Sequence, residues 1–409
     1  MAKMLQNRYV RAILLSGLFL QIGIWVRNFA ILLYVMDHTG GDPFAVSMIS
    51  VAEYAPIFLF SFIAGTFADR WRPRRTMVWC DLLSALSVIA VLITFMLGTW
   101  KAIFFATLIS AVLSQFSQPS GMKLFKLHVP AEQLQAGMSA YQTLFAVFMV
   151  LGPILGTFVF QQWGMEVSMV ITAVAFLASA GVLYLLPPDR VETEEKKDSA
   201  LLAEMASGIR YVLSSRVLSL LGVCFMAAGF GIGMVQPLAI FLVTEQLHLP
   251  KESLQWLLMV QGMGMIVGGG LTMSLAKNVP PQRLLVMGML GNAVALGICG
   301  VSTQLWLTLL AQLVSGLLLP CIHIGINTML LKYTESSFIG RVNGILTPLF
   351  TGAMVIMMSI SGVLKQHLPL VIIYAFSAAL FIIGLSFILP LYRMKEGKVG
   401  SDAEQVGSY

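Results

Sequence analysis

Charged side chains are scarce in this sequence. Only 11% of its 409 residues are charged, whereas 58% are hydrophobic, and the mean hydropathy is +0.86. A soluble globular protein carries roughly 25% charged residues, and a disordered chain has too few apolar residues to form a core. The composition therefore excludes a soluble enzyme, a disordered chain and a secreted disulfide-rich domain. It favours a protein embedded in a bilayer.

The sequence also lacks the patterns that would support catalysis, metal binding or nucleotide hydrolysis. Its four cysteines (Cys80, Cys224, Cys299 and Cys321) form no close pair and no metal-ligand spacing, so we expect neither a disulfide nor a metal site. There is no Gly-x-x-x-x-Gly-Lys-Ser/Thr loop, no catalytic triad and no carboxylate pair placed for hydrolysis. We therefore expect no enzymatic activity and no cofactor. If the protein uses an energy source, it is an ion gradient.

Long apolar runs dominate the chain. Each is long enough for a helix to cross roughly 30 Å of hydrocarbon, and the strict alternation of a membrane β-barrel is absent. The sequence predicts an all-α membrane protein with twelve spans. These spans are 12–35, 44–67, 76–98, 101–122, 138–160, 166–186, 217–244, 253–276, 283–302, 305–330, 342–364 and 369–392.

Basic residues are concentrated in every second loop between these spans, and therefore on one side of the membrane. If the N-terminus is inside, 21 of the 25 lysines and arginines fall in inner segments, and Lys101, Lys251 and Lys365 are the outer ones. This asymmetry predicts that both termini are cytoplasmic, in a multi-pass protein of the plasma membrane. It also accounts for the formal net charge of +6 without nucleic acid as a partner.

The middle of the chain divides it into two halves. After Pro187-Pro188 comes a charged stretch, and residues 201–213 then carry apolar side chains at helical spacing, as in a helix that lies along the inner membrane face. Residues 27–33 and 236–242 occupy equivalent places in the two halves. We therefore predict pseudo-symmetric six-helix bundles at 1–188 and 217–393, joined by a linker at 189–216 and followed by a tail at 394–409. A substrate cleft between related halves is typical of one transporter architecture.

The loop after span 2 carries a specific motif, Gly-Thr-Phe-Ala-Asp-Arg-Trp-Arg-Pro-Arg-Arg at 65–75. It resembles the cytoplasmic signature loop of the major facilitator superfamily, with Arg72 in place of the usual second glycine. The resemblance implies the two-bundle fold of that family and an inner gate closed by contact with span 11. The gating residues it implies here are Gly65, Asp69, Arg70, Arg74 and Arg75. The alternative is a loop that is basic only because it faces the cytoplasm.

Span 5 contains Gly152-Pro153-Ile154-Leu155-Gly156, which resembles the Gly-Pro motif of the antiporter branch of that superfamily. In that branch the motif packs at the interface of the halves and is associated with export. The alternative is an ordinary membrane helix that tolerates glycine and proline. Asp81-Leu82-Leu83, Pro130–Leu134 and Gly340-Arg341-Val342 strengthen a resemblance to drug:proton antiporters of the macrolide-efflux type. Arg341 thereby joins the gating candidates with Gly152, Pro153 and Gly156.

Ionisable residues inside spans cost about 2.5–3.5 kcal/mol each, so each is a functional candidate. Arg27 and Glu53 lie at similar depth on consecutive antiparallel spans, with Arg27 about 9 Å below an outer helix end near Leu33. They could form a static ion pair, a proton-coupling site at Glu53, or a direct contact with substrate. Asp81 could be a partner for the arginine-rich loop or a second proton site. His323 could titrate or serve only in packing.

Several uncharged polar residues could line a substrate cavity or merely bond between helices. Together with Arg27 and Glu53, the candidates are Asn28, Gln236, Gln261, Gln312 and His323. The 25 methionines and 25 phenylalanines would suit a flexible cavity for bulky lipophilic molecules, or simply lipid contact.

The sequence as a whole predicts a monomeric secondary transporter that exports lipophilic drugs or natural products by proton antiport and alternating access. Its expected partners are a lipophilic small molecule and membrane lipids. A lysolipid flippase, a siderophore or peptide exporter and a solute importer remain alternatives.

Overall fold

Every regular element in the described part of the chain is helical. The structure, a computed structural model, describes residues 7–187, 201–276, 278–335 and 338–393, with side chains omitted at 61–70, 131–132, 201–204 and 390–393. The predicted boundary at 188, residues 189–200 of the predicted linker and the tail at 394–409 lie outside these residues. The helices are α1 Arg8–His38, α2 Pro43–Arg70, α3 Pro73–Met96, α4 Ile103–His128, α5 Ala131–Tyr184, α6 Leu201–Ser214, α7 Arg216–Val235, α8 Leu254–Leu275, α9 Pro281–Val301, α10 Leu305–Tyr333, α11 Ile339–His367 and α12 Leu370–Arg393.

Helix α5 is too long to be one membrane span. Its 54 residues would extend about 80 Å at 1.5 Å per residue, more than twice the thickness of the hydrocarbon core. Gly164 breaks it, because its φ of 73° and ψ of −168° are not helical. This is a conformation that glycine adopts without steric cost. The break separates the predicted spans 138–160 and 166–186.

Eleven helices in the described residues are long and apolar enough to cross a membrane, and the broken α5 supplies two spans. The twelve predicted spans are therefore present. Many large apolar side chains on these helices are exposed, including Ile93, Phe105, Val174, Leu271 and Phe376. Such surfaces are stable against lipid and not against water, so the chain is a multi-pass all-α membrane protein.

Span 7 differs from the prediction of one helix over 217–244. Helix α7 ends at Val235, a turn follows at 236–238, and the chain continues as one helical turn at Ala239–Phe241 and a π-helix at Leu242–Gln246. Pro237 lacks the backbone N–H that an uninterrupted α-helix needs at this position. The polar residue Gln236 therefore lies at a helix break.

The helices form two compact units. In the described chain the first unit contains α1 to α5 with residues Pro250–Met259, and the second contains α6, α7, the rest of α8 and α9 to α12. In the first unit α1 packs against α5, and α3 packs against both α4 and α5. In the second unit α7 packs against α11 and α12, and α9 packs against α10 and α12. The helix pairing inside one unit therefore repeats inside the other.

Small residues permit a close approach of α5 to α1 in the first unit. A Cβ atom added to Gly156 of α5 would lie 2.6 Å from the backbone oxygen of Trp25 and 2.7 Å from Cβ of Phe29, both on α1. Gly152, one turn earlier, would meet the Trp25 ring. Gly156 thus lets α5 contact the backbone of α1 directly, and Gly152 leaves room for the Trp25 ring, as small residues commonly do between membrane helices.

We predict that Gly156→Ala destabilises the protein by about 1–3 kcal/mol, because the added methyl group meets backbone atoms that cannot move aside. The measurement is thermal unfolding of the purified protein in detergent. Gly181→Ala is the matched control, since Gly181 lies on the same helix with open space around its Cβ position. Equal unfolding temperatures for both variants would show that the close approach of α1 and α5 contributes little.

Candidate functional site

Arg27 and Glu53 lie at nearly the same depth in the first unit. Arg27 is eleven residues before the end of α1 at His38, and Glu53 is ten residues after the start of α2 at Pro43. These offsets place the two residues about 17 Å and 15 Å from the helix ends at His38 and Pro43, a depth near the middle of a 30 Å hydrocarbon layer. The prediction of about 9 Å for Arg27 was too shallow because α1 continues beyond Leu33.

Asn28 joins the two charged residues. The Arg27 Nε and Nη2 atoms donate to Oδ1 of Asn28 at 3.1 and 2.8 Å, and Nδ2 of Asn28 donates to Oε1 of Glu53 at 2.8 Å. We name these three residues the Arg27–Asn28–Glu53 network. The bonding pattern fixes the orientation of the amide, because the reverse orientation would put donor against donor and acceptor against acceptor.

The network balances one positive and one negative charge inside the membrane. Arg27 is 2% exposed and Glu53 is half-buried. An isolated charge at this depth is costly, whereas opposite charges joined by hydrogen bonds offset much of that cost. Protonation or deprotonation of Glu53 would change the net charge of the network by one. Proton binding at Glu53 can therefore change, through electrostatics, the affinity of the network for another ligand.

One donor of the network is unused. The Nη1 atom of Arg27 is buried and has no hydrogen-bond partner among the described residues. A buried guanidinium donor without an acceptor is unfavourable, so a water molecule or a polar atom of a ligand would be stabilised there. Arg27 can therefore contact a substrate while it remains linked to Glu53 through Asn28.

Helix α5 supports this part of α1. Trp25 and Phe29 flank the network along α1, and their rings lie 6.0 Å apart. The same two residues pack against Gly152 and Gly156 of α5. The resemblance implies packing of these glycines at the interface of the halves. The contacts described here are with α1 of their own unit, and through α1 they position the network.

A second buried carboxylate lies elsewhere in the first unit. Asp81 of α3 is 3% exposed and accepts a hydrogen bond of 2.6 Å from Oγ of Ser179 on α5. The Ser179 hydroxyl is also 2.8 Å from that of Ser16 on α1. Because Ser179 donates its only hydroxyl hydrogen to Asp81, Ser16 donates to Ser179. The Asp81–Ser179–Ser16 contacts thus join three helices. Neither role considered from the sequence, a partner for the arginine-rich loop or a second proton site, includes these contacts.

The arginine-rich loop is anchored to the end of α5. Arg74 donates from Nε to the Leu183 carbonyl oxygen at 3.1 Å and from Nη2 to that of Tyr184, and its guanidinium lies over the Tyr184 ring. These bonds satisfy carbonyl groups that a helix C-terminus leaves free, where a cation is favourable. Arg75 lies in the first turn of α3. Gly65, Asp69 and Arg70 lie on α2, and their side chains are outside the described part of the structure.

The remaining cavity candidates belong to the second unit. His323 on α10 meets the rings of Phe225 and Phe350 edge-on, with centroids 6.2 and 6.0 Å away, so its described contacts are aromatic packing. Gln261 and Gln312 are half-buried on α8 and α10, and Gln236 is exposed at the break after α7. Arg341, in the first turn of α11, lies over the Phe338 ring at 4.9 Å.

Two ion pairs near the predicted outer ends of helices were missed by sequence reasoning. Lys251 pairs with Asp37 within the first unit, and Lys365 pairs with Glu245 at 2.7 Å within the second. Lys251 and Lys365 are two of the three lysines assigned to the outer side. Lysines are rare in the predicted outer segments, and acidic residues lie in the neighbouring outer segments. These two features were the available sequence signal for the ion pairs.

The sequence of this chain is similar to a known protein family and to several of its members. The model of the Major Facilitator Superfamily matches residues 13–238 and 221–407. Macrolide efflux protein A of Streptococcus pyogenes is 23% identical over 358 residues, which are 84% of this chain and 86% of that protein. The multidrug efflux pump Tap of Mycolicibacterium fortuitum is 29% identical over 249 residues, covering 57% of this chain and 59% of that pump.

A crystal structure of the nucleoside transporter NupG has a TM-score of 0.76 at 12% identity and covers 95% of this chain and 100% of that one. This likeness concerns the fold alone. The family model spans both helical units, and the resemblance carried by the loop after α2 is thereby confirmed. This chain belongs to the Major Facilitator Superfamily and is a multi-pass membrane transporter, not an enzyme.

Proposed function

We propose that the protein exports lipophilic compounds, with macrolides and lipophilic cations as first candidates, in exchange for protons by alternating access. The observation that carries this proposal is the Arg27–Asn28–Glu53 network. It places one carboxylate at mid-membrane depth in a chain whose relatives include proteins named for macrolide and multidrug efflux. The proton gradient is the energy source, and no cofactor takes part.

In this mechanism Glu53 carries the proton. A proton on Glu53 gives the network one net positive charge, because Arg27 stays charged. This state repels a cationic substrate, and loss of the proton restores neutrality and favours substrate binding. Each proton that moves inward down the gradient contributes about 2.3 kcal/mol per 100 mV of membrane potential, which can drive substrate outward.

Arg27 and Asn28 act in substrate binding during this exchange. The unused Nη1 donor of Arg27 offers a hydrogen bond to a carbonyl or hydroxyl oxygen of the substrate. Asn28 transmits the protonation of Glu53 to Arg27, because its amide bonds to both. Asp81, which accepts a hydrogen bond from Ser179, is a second site where a proton could reside.

We predict that Glu53→Gln abolishes proton-driven export and leaves folding intact, because glutamine keeps a hydrogen-bond acceptor but cannot titrate. The measurement is efflux of a macrolide or a lipophilic cationic dye from proteoliposomes under an imposed pH gradient. Glu166→Gln is the matched control, since Glu166 is an exposed acid on α5. Efflux by Glu53→Gln that still depends on the gradient would reject Glu53 as the coupling residue.

We also predict that Asn28→Ala and Glu53→Gln have non-additive effects on substrate affinity, which can be measured by equilibrium binding when proton-driven export is lost. Residues in one hydrogen-bond network commonly show coupling energies of about 0.5–3 kcal/mol in a double-mutant cycle. The same cycle with Arg27→Ala measures the other link of the network. Additive effects in both cycles would mean that Asn28 does not connect Arg27 to Glu53 when substrate binds.

The direction of transport separates export from import. Uphill uptake into proteoliposomes with a gradient that drives protons in the same direction would identify an importer. Movement of substrate against the proton flux supports the antiport proposed here.

We place both termini in the cytoplasm of a plasma-membrane protein, as the distribution of basic residues indicates. The four native cysteines are buried, so an introduced cysteine can be labelled selectively. We predict that a membrane-impermeant maleimide labels Thr99→Cys in intact cells and labels Arg283→Cys only after permeabilisation. Labelling of Arg283→Cys in intact cells would reverse the proposed orientation.

A further inference from the structure

Helix α6 has one face fixed against the second unit. A Cβ atom added to Gly208 would lie 2.8 Å from Cδ1 of Ile345 and 3.1 Å from Cβ of Arg341, so α6 contacts α11 closely. Tyr211 stacks on Phe338 with ring centroids 4.4 Å apart, and Val212 is buried. This face of α6 is therefore part of the packed core next to the start of α11.

The opposite face of α6 is also apolar, although it is exposed. Ala206, Ile209 and Leu213 follow one another at helical spacing, and Ile209 and Leu213 are 45% and 71% exposed. Helix α6 has 14 residues, or about 21 Å, which is too short to cross the membrane. A short helix with an uncovered apolar face between two membrane spans is expected at the bilayer surface.

The basic side chain of Arg210 borders this apolar face. A shallow cavity of about 670 Å³ is lined by Ala206, Ile209, Arg210, Leu213 and Ser214, and Arg216 follows two residues later. Arg210 and Arg216 are both exposed, and in the described part of the chain no carboxylate lies within ion-pair distance of either. The cavity thus joins an apolar wall to the positive charge of Arg210, with a second exposed arginine at position 216, which matches an acyl chain joined to a phosphate.

We propose that this face of α6 binds an anionic phospholipid of the inner leaflet, with Arg210 and Arg216 at the phosphate and Ile209 and Leu213 against the acyl chains. The inference rests on the cytoplasmic placement of α6 that is part of the proposed function. Because α6 packs on the start of α11, a lipid bound here also holds that end of α11. A soluble anionic partner would need the two arginines but would gain nothing from the apolar row.

The test is native mass spectrometry of the full-length protein in detergent, titrated with phosphatidylglycerol or with phosphatidylcholine of the same acyl chains. We expect tighter binding of phosphatidylglycerol. Arg210→Gln and Arg216→Gln should each weaken it about fivefold, the effect of about 1 kcal/mol per basic residue near an anionic surface. Leu213→Ser should weaken binding of both lipids.

Arg283→Gln is the matched control, since it removes an exposed arginine from another predicted cytoplasmic segment and should leave binding unchanged. Arg210→Lys and Arg216→Lys should retain most of the binding, which keeps the test valid if the glutamine variants fold poorly. Equal binding of the two lipids, an equal loss in Arg283→Gln, or full displacement by soluble glycerol phosphate would overturn the proposal. Lipid binding is measured without transport, so its failure is distinguishable from failure of proton antiport.

Discussion

The cost of placing charge inside a membrane is the constraint on which this account depends. Arg27 and Glu53 are tolerated near the middle of the hydrocarbon layer because Asn28 bonds to both and their charges offset each other. The balance is conditional on the proton of Glu53, since one proton changes the net charge of the whole network. A group whose burial is acceptable in one protonation state and costly in the other can respond to a proton gradient.

The packing of the first unit holds the segment of α1 that carries Arg27 and Asn28. Gly152 accommodates the Trp25 ring and Gly156 contacts the α1 backbone and Phe29, and Trp25 and Phe29 flank Arg27 and Asn28 on the same helix. A motif that the resemblance associates with export therefore lies in direct contact with the segment that carries the buried charge. Movement of α5 relative to α1 would disturb the packing of Trp25 and Phe29, which flank the Arg27–Asn28–Glu53 network.

Much of the fold could be predicted from the sequence because the bilayer fixes the length and polarity of each span. The similar depth of Arg27 and Glu53 followed from counting residues along antiparallel helices. The role of Asn28 could not be predicted, because it depends on how the long Arg27 side chain turns toward its neighbour. The contact between Asp81 and Ser179 joins residues 98 positions apart, and hydropathy carries no information about such pairs. The end of α7 at Val235 was not predicted, because the apolar run in the sequence continues past Pro237.

The central claim is tested most directly by counting protons released when substrate binds to the purified protein in weakly buffered detergent solution, without any gradient. The account predicts that the wild-type protein releases protons on binding a macrolide or a lipophilic cationic dye. It also predicts that the Glu53→Gln variant binds the same compound with no release. Equal release by both proteins, or measurable binding without release by the wild-type protein, would contradict it.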